Sequence, residues 1–493
     1  MKKSNPEFNF DNSYAHQLEG FYVYWTGEKA PTPEIVLFND NLAEELGLDS
    51  KALNSDKGAA IFSGSIAPEG AAPLAQAYAG HQFGGFSEQL GDGRALLLGE
   101  VLDKDGVRYD LQLKGSGPTP FSRGGDGKAV LGPVLREYLM GEAMHALGVP
   151  TTRALAAVTT GEEIMREGVK PGAVLARVAS SHLRVGTFQF FAARNEWEKV
   201  RKLADYTIER HYPELKDDDQ KYLSFLSTIS DRQAAVIAAW LQVGFVHGVM
   251  NTDNMSISGE TIDYGPCAFL DAYDPKAVYS SIDHHGRYAF GNQPAIAQWN
   301  LARLAETLLP LIDPENSENA IRLATEVING FMDRYKERWT TGMRSKIGIA
   351  SQEDDDAALI REMFSAMEGE GVDYTLFFRH LVNAAHGQDE QVLALFNDRG
   401  KISSWLSLWR DRLLRDPQSP DERAKAMNMV NPAYIPRNHL VEEALEAAET
   451  GDMVQYRKLL DVLSNPFTKR DGLEDFEMPA PRDFGPYKTF CGT

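Results

Sequence analysis

The alternation of apolar and polar positions is clearest in the first half of the chain. Arg94 to Leu102 is largely apolar, Asp103-Lys104-Asp105-Gly106 has turn composition, and Val107 to Lys114 resumes the run, which predicts a β-hairpin. In its second strand Tyr109, Leu111 and Leu113 alternate with Asp110, Gln112 and Lys114, so one face is apolar and the other bears Lys114. Gly115 to Lys128 follows as a glycine-rich loop. Pro133 then suits the first turn of a helix running to about Leu147, where Gly148 and Pro150 stop it. Val134, Glu137, Gly141 and Met144 fall at helical spacing, which sets a carboxylate on the inward stripe. From about 186 the signals turn helical. Ala234 to Phe245 predicts a buried helix, Gly248 to Pro266 is polar and irregular, and helices dominate again from Trp299. The last stretch, Asn465 to Thr493, holds four prolines and predicts a loop-like tail.

Four regions follow from this pattern: 1–75, a mixed N-terminal extension ending in a Gly/Ala/Pro-rich connection; 76–185, rich in strands; 186–345, helical with polar loops; and 346–493, a helical extension with its tail. The predicted class is α+β, a strand-rich lobe followed by a helical one.

Charge changes what this fold is expected to meet. The 493 residues include 71 Asp plus Glu against 50 Lys plus Arg, a net charge of −21, which repels nucleic-acid phosphates and disfavours a general nucleic-acid binder. The most apolar stretch, Ala234 to Met250, is interrupted by Gln242 and His247 and falls short of the roughly 20 residues a membrane span needs, so no membrane partner is expected. With two cysteines, Cys267 and Cys491, the chain has no disulfide framework, and a reducing, cytoplasmic setting is expected.

The segment richest in chemistry is His247-Gly248-Val249-Met250-Asn251-Thr252-Asp253-Asn254, followed by Ile262-Asp263-Tyr264-Gly265. Asn254 and Asp263 supply hard oxygen donors on loops after a buried helix, as Mg²⁺ sites of the kinase type do. Alone, these residues equally build turns. Upstream, Lys114 at a strand end and Glu137 on the next helix match the strand lysine and helix glutamate that protein kinases pair to hold phosphates. Gly91-Asp92-Gly93-Arg94 and Ser122 to Lys128 are possible phosphate cradles, and Arg177 and Arg184 flank a Ser180-Ser181-His182 turn. Kinases carry His-Arg-Asp, four residues, then Asn. Aligning Asn254 on that Asn puts Val249 where the base aspartate belongs, and valine accepts no proton. Asp253 is the nearest remaining carboxylate for that role. His284-His285 makes a poor zinc pair, since adjacent side chains diverge and no cysteine lies nearby.

The chain resembles the selenoprotein O (SelO/YdiU) family over nearly its whole length. The resemblance rests on Tyr78-Ala79-Gly80-His81-Gln82-Phe83-Gly84, Gln89 to Arg94, Leu113-Lys114-Gly115-Ser116-Gly117-Pro118-Thr119-Pro120, Ser122 to Lys128, His247 to Asn254 and Asp263-Tyr264-Gly265-Pro266-Cys267. It implies a protein-kinase-like two-lobed fold, with nucleotide loops in the first lobe and catalytic and metal loops in the second. The implied reaction is transfer of AMP from ATP, bound in a flipped orientation, to Ser, Thr or Tyr hydroxyls of proteins, with Mg²⁺ or Mn²⁺ as cofactor. By the same resemblance Asp253 is the proton acceptor and Asn254 and Asp263 are metal ligands. Lys114, Asp126, Gly127, Arg177, Arg184 and Asp263 contact nucleotide, with Gly91, Gly93 and Arg94 in the cradle and Glu137 orienting Lys114. It also implies a redox pair of Cys267 and Cys491; two free thiols remain equally open. A monomer is expected. UMP transfer from UTP, an ordinary kinase (disfavoured by Val249) and a non-catalytic nucleotide-binding scaffold stay open as alternatives.

Overall fold

A computed structural model of the chain describes residues 7–489. Ten strands organise its first part: β1 (Tyr22–Tyr24), β2 (Glu34–Phe38), β3 (Leu74–Gln76), β4 (Gly80–Gln82), β5 (Gly85–Ser87), β6 (Ala95–Leu102), β7 (Arg108–Lys114), β8 (Ala129–Val130), β9 (Arg153–Met165) and β10 (Val169–Ala179). Eight of them form one antiparallel sheet in the order β1-β3-β6-β7-β10-β9-β2, with β8 pairing on β10, while β4 and β5 make a separate hairpin. The predicted hairpin is β6–β7, and residues before 75 supply both edge strands, β1 and β2.

The two-residue period sorts the sheet's faces. Leu96, Leu98, Leu111, Leu113, Val174 and Val178 point to one side, where they bury Leu53, Ile61 and Phe62 from the short helices after β2. On the other side lie Asp110, Gln112 and Lys114, and Gln112 stands opposite Arg177 of β10 in the ladder. This polar face is not solvent-facing: Asp110 and Gln112 are both buried. The helix Leu131–Ala146 packs across it with Val134, Leu135, Tyr138 and Leu139, so Glu137 approaches Lys114 from above.

The second part is helical. A 23-residue helix, Lys221–Val243, is longer than the apolar run alone predicts, and it stops where Gly244 adopts φ +77°, leaving Phe245 to start the short pair Phe245–Val246 with Ala268–Phe269. Helix Gln293–Ile312 and the helices from Ser317–Asn329 to Val454–Leu463 complete one continuous core with the helix Leu131–Ala146. The acidic run Glu353 to Asp356 leads into the helix Asp356–Met367, but Asp356 itself is buried on Arg412 at 2.8 Å. Among the described residues no helix is long and apolar enough to cross a membrane.

Candidate active site

The alternation in β7 and β10 and the helical spacing in Leu131–Ala146 bring Lys114, Arg177 and Glu137 together. Lys114 Nζ donates to Glu137 Oε2 at 2.6 Å and to Asp263 Oδ1 at 2.7 Å. Arg177 Nη1 donates to the same two carboxylates, at 2.8 Å to Glu137 Oε1 and 2.7 Å to Asp263 Oδ1, while Nη2 reaches Gln112 Oε1 at 2.6 Å. Two cations thus face two anions in a site where Arg177 is only 2% exposed. Burial would push the Asp263 carboxyl up, but Lys114, Arg177 and Arg184 outweigh it and hold the group well below the usual carboxylate range. Asp263 sits at φ +65°, a left-handed conformation that costs a non-glycine residue free energy and is tolerated best by Asp and Asn.

Asp263 spends Oδ1 on both cations, and its Oδ2 accepts no hydrogen bond from the described residues. Asn254 donates Nδ2 to the Val249 carbonyl at 3.0 Å, and its amide oxygen likewise accepts none. One free carboxylate oxygen and one free amide oxygen form a hard donor set that suits Mg²⁺ or Mn²⁺ completed by water and phosphate oxygens. The loops bearing them are tied together by His247, whose Nε2 donates to the Ile262 carbonyl at 2.9 Å.

Asp253 lies in the turn Thr252–Asn254 and is buried. Gln82 Nε2 donates to its Oδ2 at 3.1 Å, whereas Oδ1 is buried without a partner. Burial pushes its carboxyl up to about 6. The β4–β5 hairpin grips this turn residue by residue: His81 N donates to Thr252 Oγ1 at 2.7 Å and Phe83 N to Asn251 Oδ1 at 3.1 Å. A Cβ on Gly80 would stand 2.6 Å from Asp253 Oδ1, so only glycine allows this approach.

Arg184 is also buried; its Nε donates to the His182 carbonyl at 3.2 Å, its guanidinium lies 4.3 Å from the Tyr78 ring centroid, and its Nη2 has no partner. Neither Arg177 nor Arg184 is a surface cation. The glycine loops knit to each other. A Cβ on Gly91 would strike the Phe121 ring at 2.4 Å, one on Gly93 would meet the Phe121 carbonyl at 2.8 Å, and one on Gly127 the Gly117 carbonyl at 2.2 Å. The Arg94 carbonyl accepts from Gly115 N at 2.7 Å, and the Arg94 side chain makes no ion pair with the described residues. Asp126 is exposed and makes no contact with the Lys114 cluster among the described residues; Arg166 donates to its two oxygens at 2.9 and 3.0 Å.

Sequence reasoning gave no role to Gln82, Gln112 or Asp92. Asp92 is buried, accepts from Gln76 N at 3.0 Å and leaves Oδ1 unpartnered. Two of these residues stand inside the quoted segments, but neutral or turn-building side chains carry no chemical signal until their partners are visible. Cys267 is buried and forms no disulfide among the described residues; burial pushes its thiol up to about 11. Cys491 lies outside the described residues. Among the described residues no three His, Cys, Asp or Glu side chains cluster as a metal site, and His284 and His285 belong to none.

Known proteins match this chain end to end. The family model for "Protein adenylyltransferase SelO" covers residues 5–464. A protein of Rhizobium leguminosarum called "Protein nucleotidyltransferase YdiU" is 58% identical over 494 residues, covering 100% of this chain and 98% of its own. One of Cereibacter sphaeroides with the same name is 58% identical over 488 residues, covering 99% of this chain and 100% of its own. One of Rhizobium johnstonii is 56% identical over 498 residues. The chain therefore belongs to the SelO family and is a nucleotidyltransferase.

Proposed function

We propose that this nucleotidyltransferase is a protein adenylyltransferase of protein-kinase-like, two-lobed fold, with residues 76–185, completed by the strands β1, β2 and β3, as the first lobe and 186–345 as the second. ATP is the co-substrate, and the acceptors are Ser, Thr or Tyr hydroxyls of proteins. The observation that supports this most is that two functions stand side by side. A compensated Lys114–Glu137–Arg177–Asp263 cluster stands beside Asp253, a buried carboxylate with one oxygen free.

The Asp253 carboxylate takes the acceptor hydroxyl's proton as the oxygen attacks the α-phosphorus. The new O–P bond forms, the bond from the α-phosphorus to the bridging oxygen breaks, and pyrophosphate leaves. A carboxyl near 6 is largely ionised at neutral pH yet basic enough to hold the proton. Lys114, Arg177 and the free donor of Arg184 offset phosphate charge. Asn254 and Asp263 would hold a divalent cation, which adds further positive charge beside the phosphates. Gly91, Gly93, Arg94 and Gly127 would line the nucleotide loops. A redox pair of Cys267 with Cys491 is supported by the end of the described chain: Thr489 Oγ1 donates to the carbonyl of Pro266, next to Cys267, at 2.9 Å.

ATP labelled at the α- or the γ-phosphate tests the reading on protein acceptors. Adenylyl transfer puts α-label alone on protein; γ-label alone would overturn it in favour of a kinase, and no label in favour of a scaffold. Labelled UTP in parallel separates AMP from UMP transfer.

A further inference from the structure

We propose that the β4–β5 hairpin and the arginines beside it form the docking surface for the acceptor protein, and that the segment it takes is acidic. The inference rests on the reading that Asp253 serves a protein hydroxyl. An acceptor must come up to the Asp253 carboxylate, and the hairpin is what packs on that carboxylate, through Gln82 and Gly80.

Two aromatic side chains show on the outer side of the hairpin. Phe83 is 37% and Phe86 40% exposed, side by side with the catalytic turn. Beneath them the rings continue inward: Phe83 meets Tyr288 at 5.1 Å, and His81 meets Phe86 at 4.8 Å and Trp299 at 5.2 Å. Arg287 stacks 4.7 Å over Trp299 and lies against the hairpin tip, 3.7 Å from where a Cβ of Gly84 would be. At the hairpin's other end Arg194 covers the Phe190 ring at 3.7 Å and donates to the Glu88 carbonyl. Among the described residues neither Arg287 nor Arg194 has a carboxylate within ion-pair distance, whereas Arg303, on the far face of Trp299, is paired with Glu306.

In a chain of net charge −21, two arginines without an ion pair among the described residues frame two exposed phenylalanines, although Asp283 accepts from the Arg287 backbone N at 2.9 Å and exposed Glu88 lies beside Arg194. Guanidinium groups already ordered by stacking on rings lose little entropy when they bind carboxylates. The rest of the acidic surface would repel the same segment, which confines it to this patch. The occupant that fits is an extended acceptor segment with Asp or Glu flanking the hydroxyl residue, its apolar positions resting on Phe83 and Phe86.

Fluorescence anisotropy on the full chain tests this without requiring transfer. The probes are two labelled peptides, each with a central Ser and Leu, one flanked by Glu and the other by Gln. The expected result is that the Glu peptide binds about tenfold more tightly at low salt. Arg287→Glu should erase or reverse that preference, and Phe86→Ser should weaken both peptides alike. Equal affinity for the two peptides, no binding of the Glu peptide at millimolar concentration, or an unchanged preference in folded Arg287→Glu protein would overturn the proposal. If Arg287→Glu fails to fold, Arg194→Glu provides the same comparison. α-Labelled ATP with the Glu peptide separates the two readings. A binding preference without label transfer counts against adenylyl transfer and leaves the docking surface standing; transfer without preference does the reverse.

Discussion

Replacing Arg177 by Met tests whether the central charge cluster is held by mutual compensation. The side chain is 2% exposed and its donors serve Glu137, Asp263 and Gln112 at 2.6–2.8 Å. Methionine fills much of the stem's volume, so the cavity contribution is small. What is lost is one of two cations facing the buried Glu137 and half-buried Asp263 carboxylates. Breaking a buried pair on one side costs about 3–5 kcal/mol, because the remaining charge is left uncompensated. Lys114 still touches both Glu137 and Asp263, which puts the expected loss near the lower end, about 3 kcal/mol. Urea unfolding of Arg177→Met, Glu137→Gln and the double variant measures it as a cycle. If compensation is the cause, the double variant loses clearly less than the two single losses added together, since the second change removes the anion the first one stranded. Additive losses, or an Arg177→Met loss below about 1 kcal/mol, would refute the reasoning, because a pair that weak behaves as an exposed ion pair does.

Other outcomes follow from the same contacts. Asp263→Ala should abolish label transfer by removing a free oxygen donor and the anchor of both Lys114 and Arg177; activity retained would remove Asp263 from the site. Asp253→Asn should slow transfer by about 10²–10⁴-fold while nucleotide affinity, read by calorimetry, stays near wild type. Gly80→Ala drives a methyl into Asp253 Oδ1 and should cost about a hundredfold in kcat with a smaller change in KM. His182, buried on Asp110 at 3.0 Å, is held down to about 4 by burial and by Arg177 and Arg184, against an ordinary 6.5. Above pH 6.5 it is neutral folded or unfolded. As pH falls from 6.5 to 4 only the unfolded chain takes up the proton, so stability drops by up to about 3 kcal/mol. In urea titrations His182→Asn should flatten that limb, and an unchanged acid profile would count against the assignment.

The centre of the sheet was legible where its strands obey a two-residue period that the sequence states openly. The β6–β7 hairpin and the helix after the glycine loop emerge from local signals alone: a turn tetrad, an N-terminal proline and a C-terminal glycine. The membership of β1 and β2 in the sheet was not legible. Each is a short edge strand, and its partner lies far along the chain: β1 joins β3, and β2 pairs with β9 about 120 residues later. Phe245 illustrates a boundary set by backbone rather than hydrophobicity. The apolar run continues past Val243, but Gly244 takes a left-handed conformation and turns the next residues into a strand.

The site divides along the same line. Lys114, Glu137, Asn254 and Asp263 could be read because each is a charged or chelating residue at a position the local pattern already fixes. Arg177 and Arg184 were ambiguous for a reason the structure makes plain: an arginine beside a polar turn reads as surface, and only opposing carboxylates or a stacked ring justify burying it. Gln82 and Gly80 were silent, since a neutral amide and a missing side chain acquire meaning only from the carboxylate they touch, 171 residues away for Gln82. Buried charge is poor evidence of stability, because a well-packed apolar replacement is often as stable or more so. The Lys114–Glu137–Arg177–Asp263 cluster packs four charged side chains together, two of them buried and two half-buried, while leaving one oxygen of Asp263 and one of Asp253 without a protein partner. Under the proposed transfer those open valences are where a divalent cation and the acceptor hydroxyl would bind, and the cations already in place offset the cost of holding the carboxylates ready.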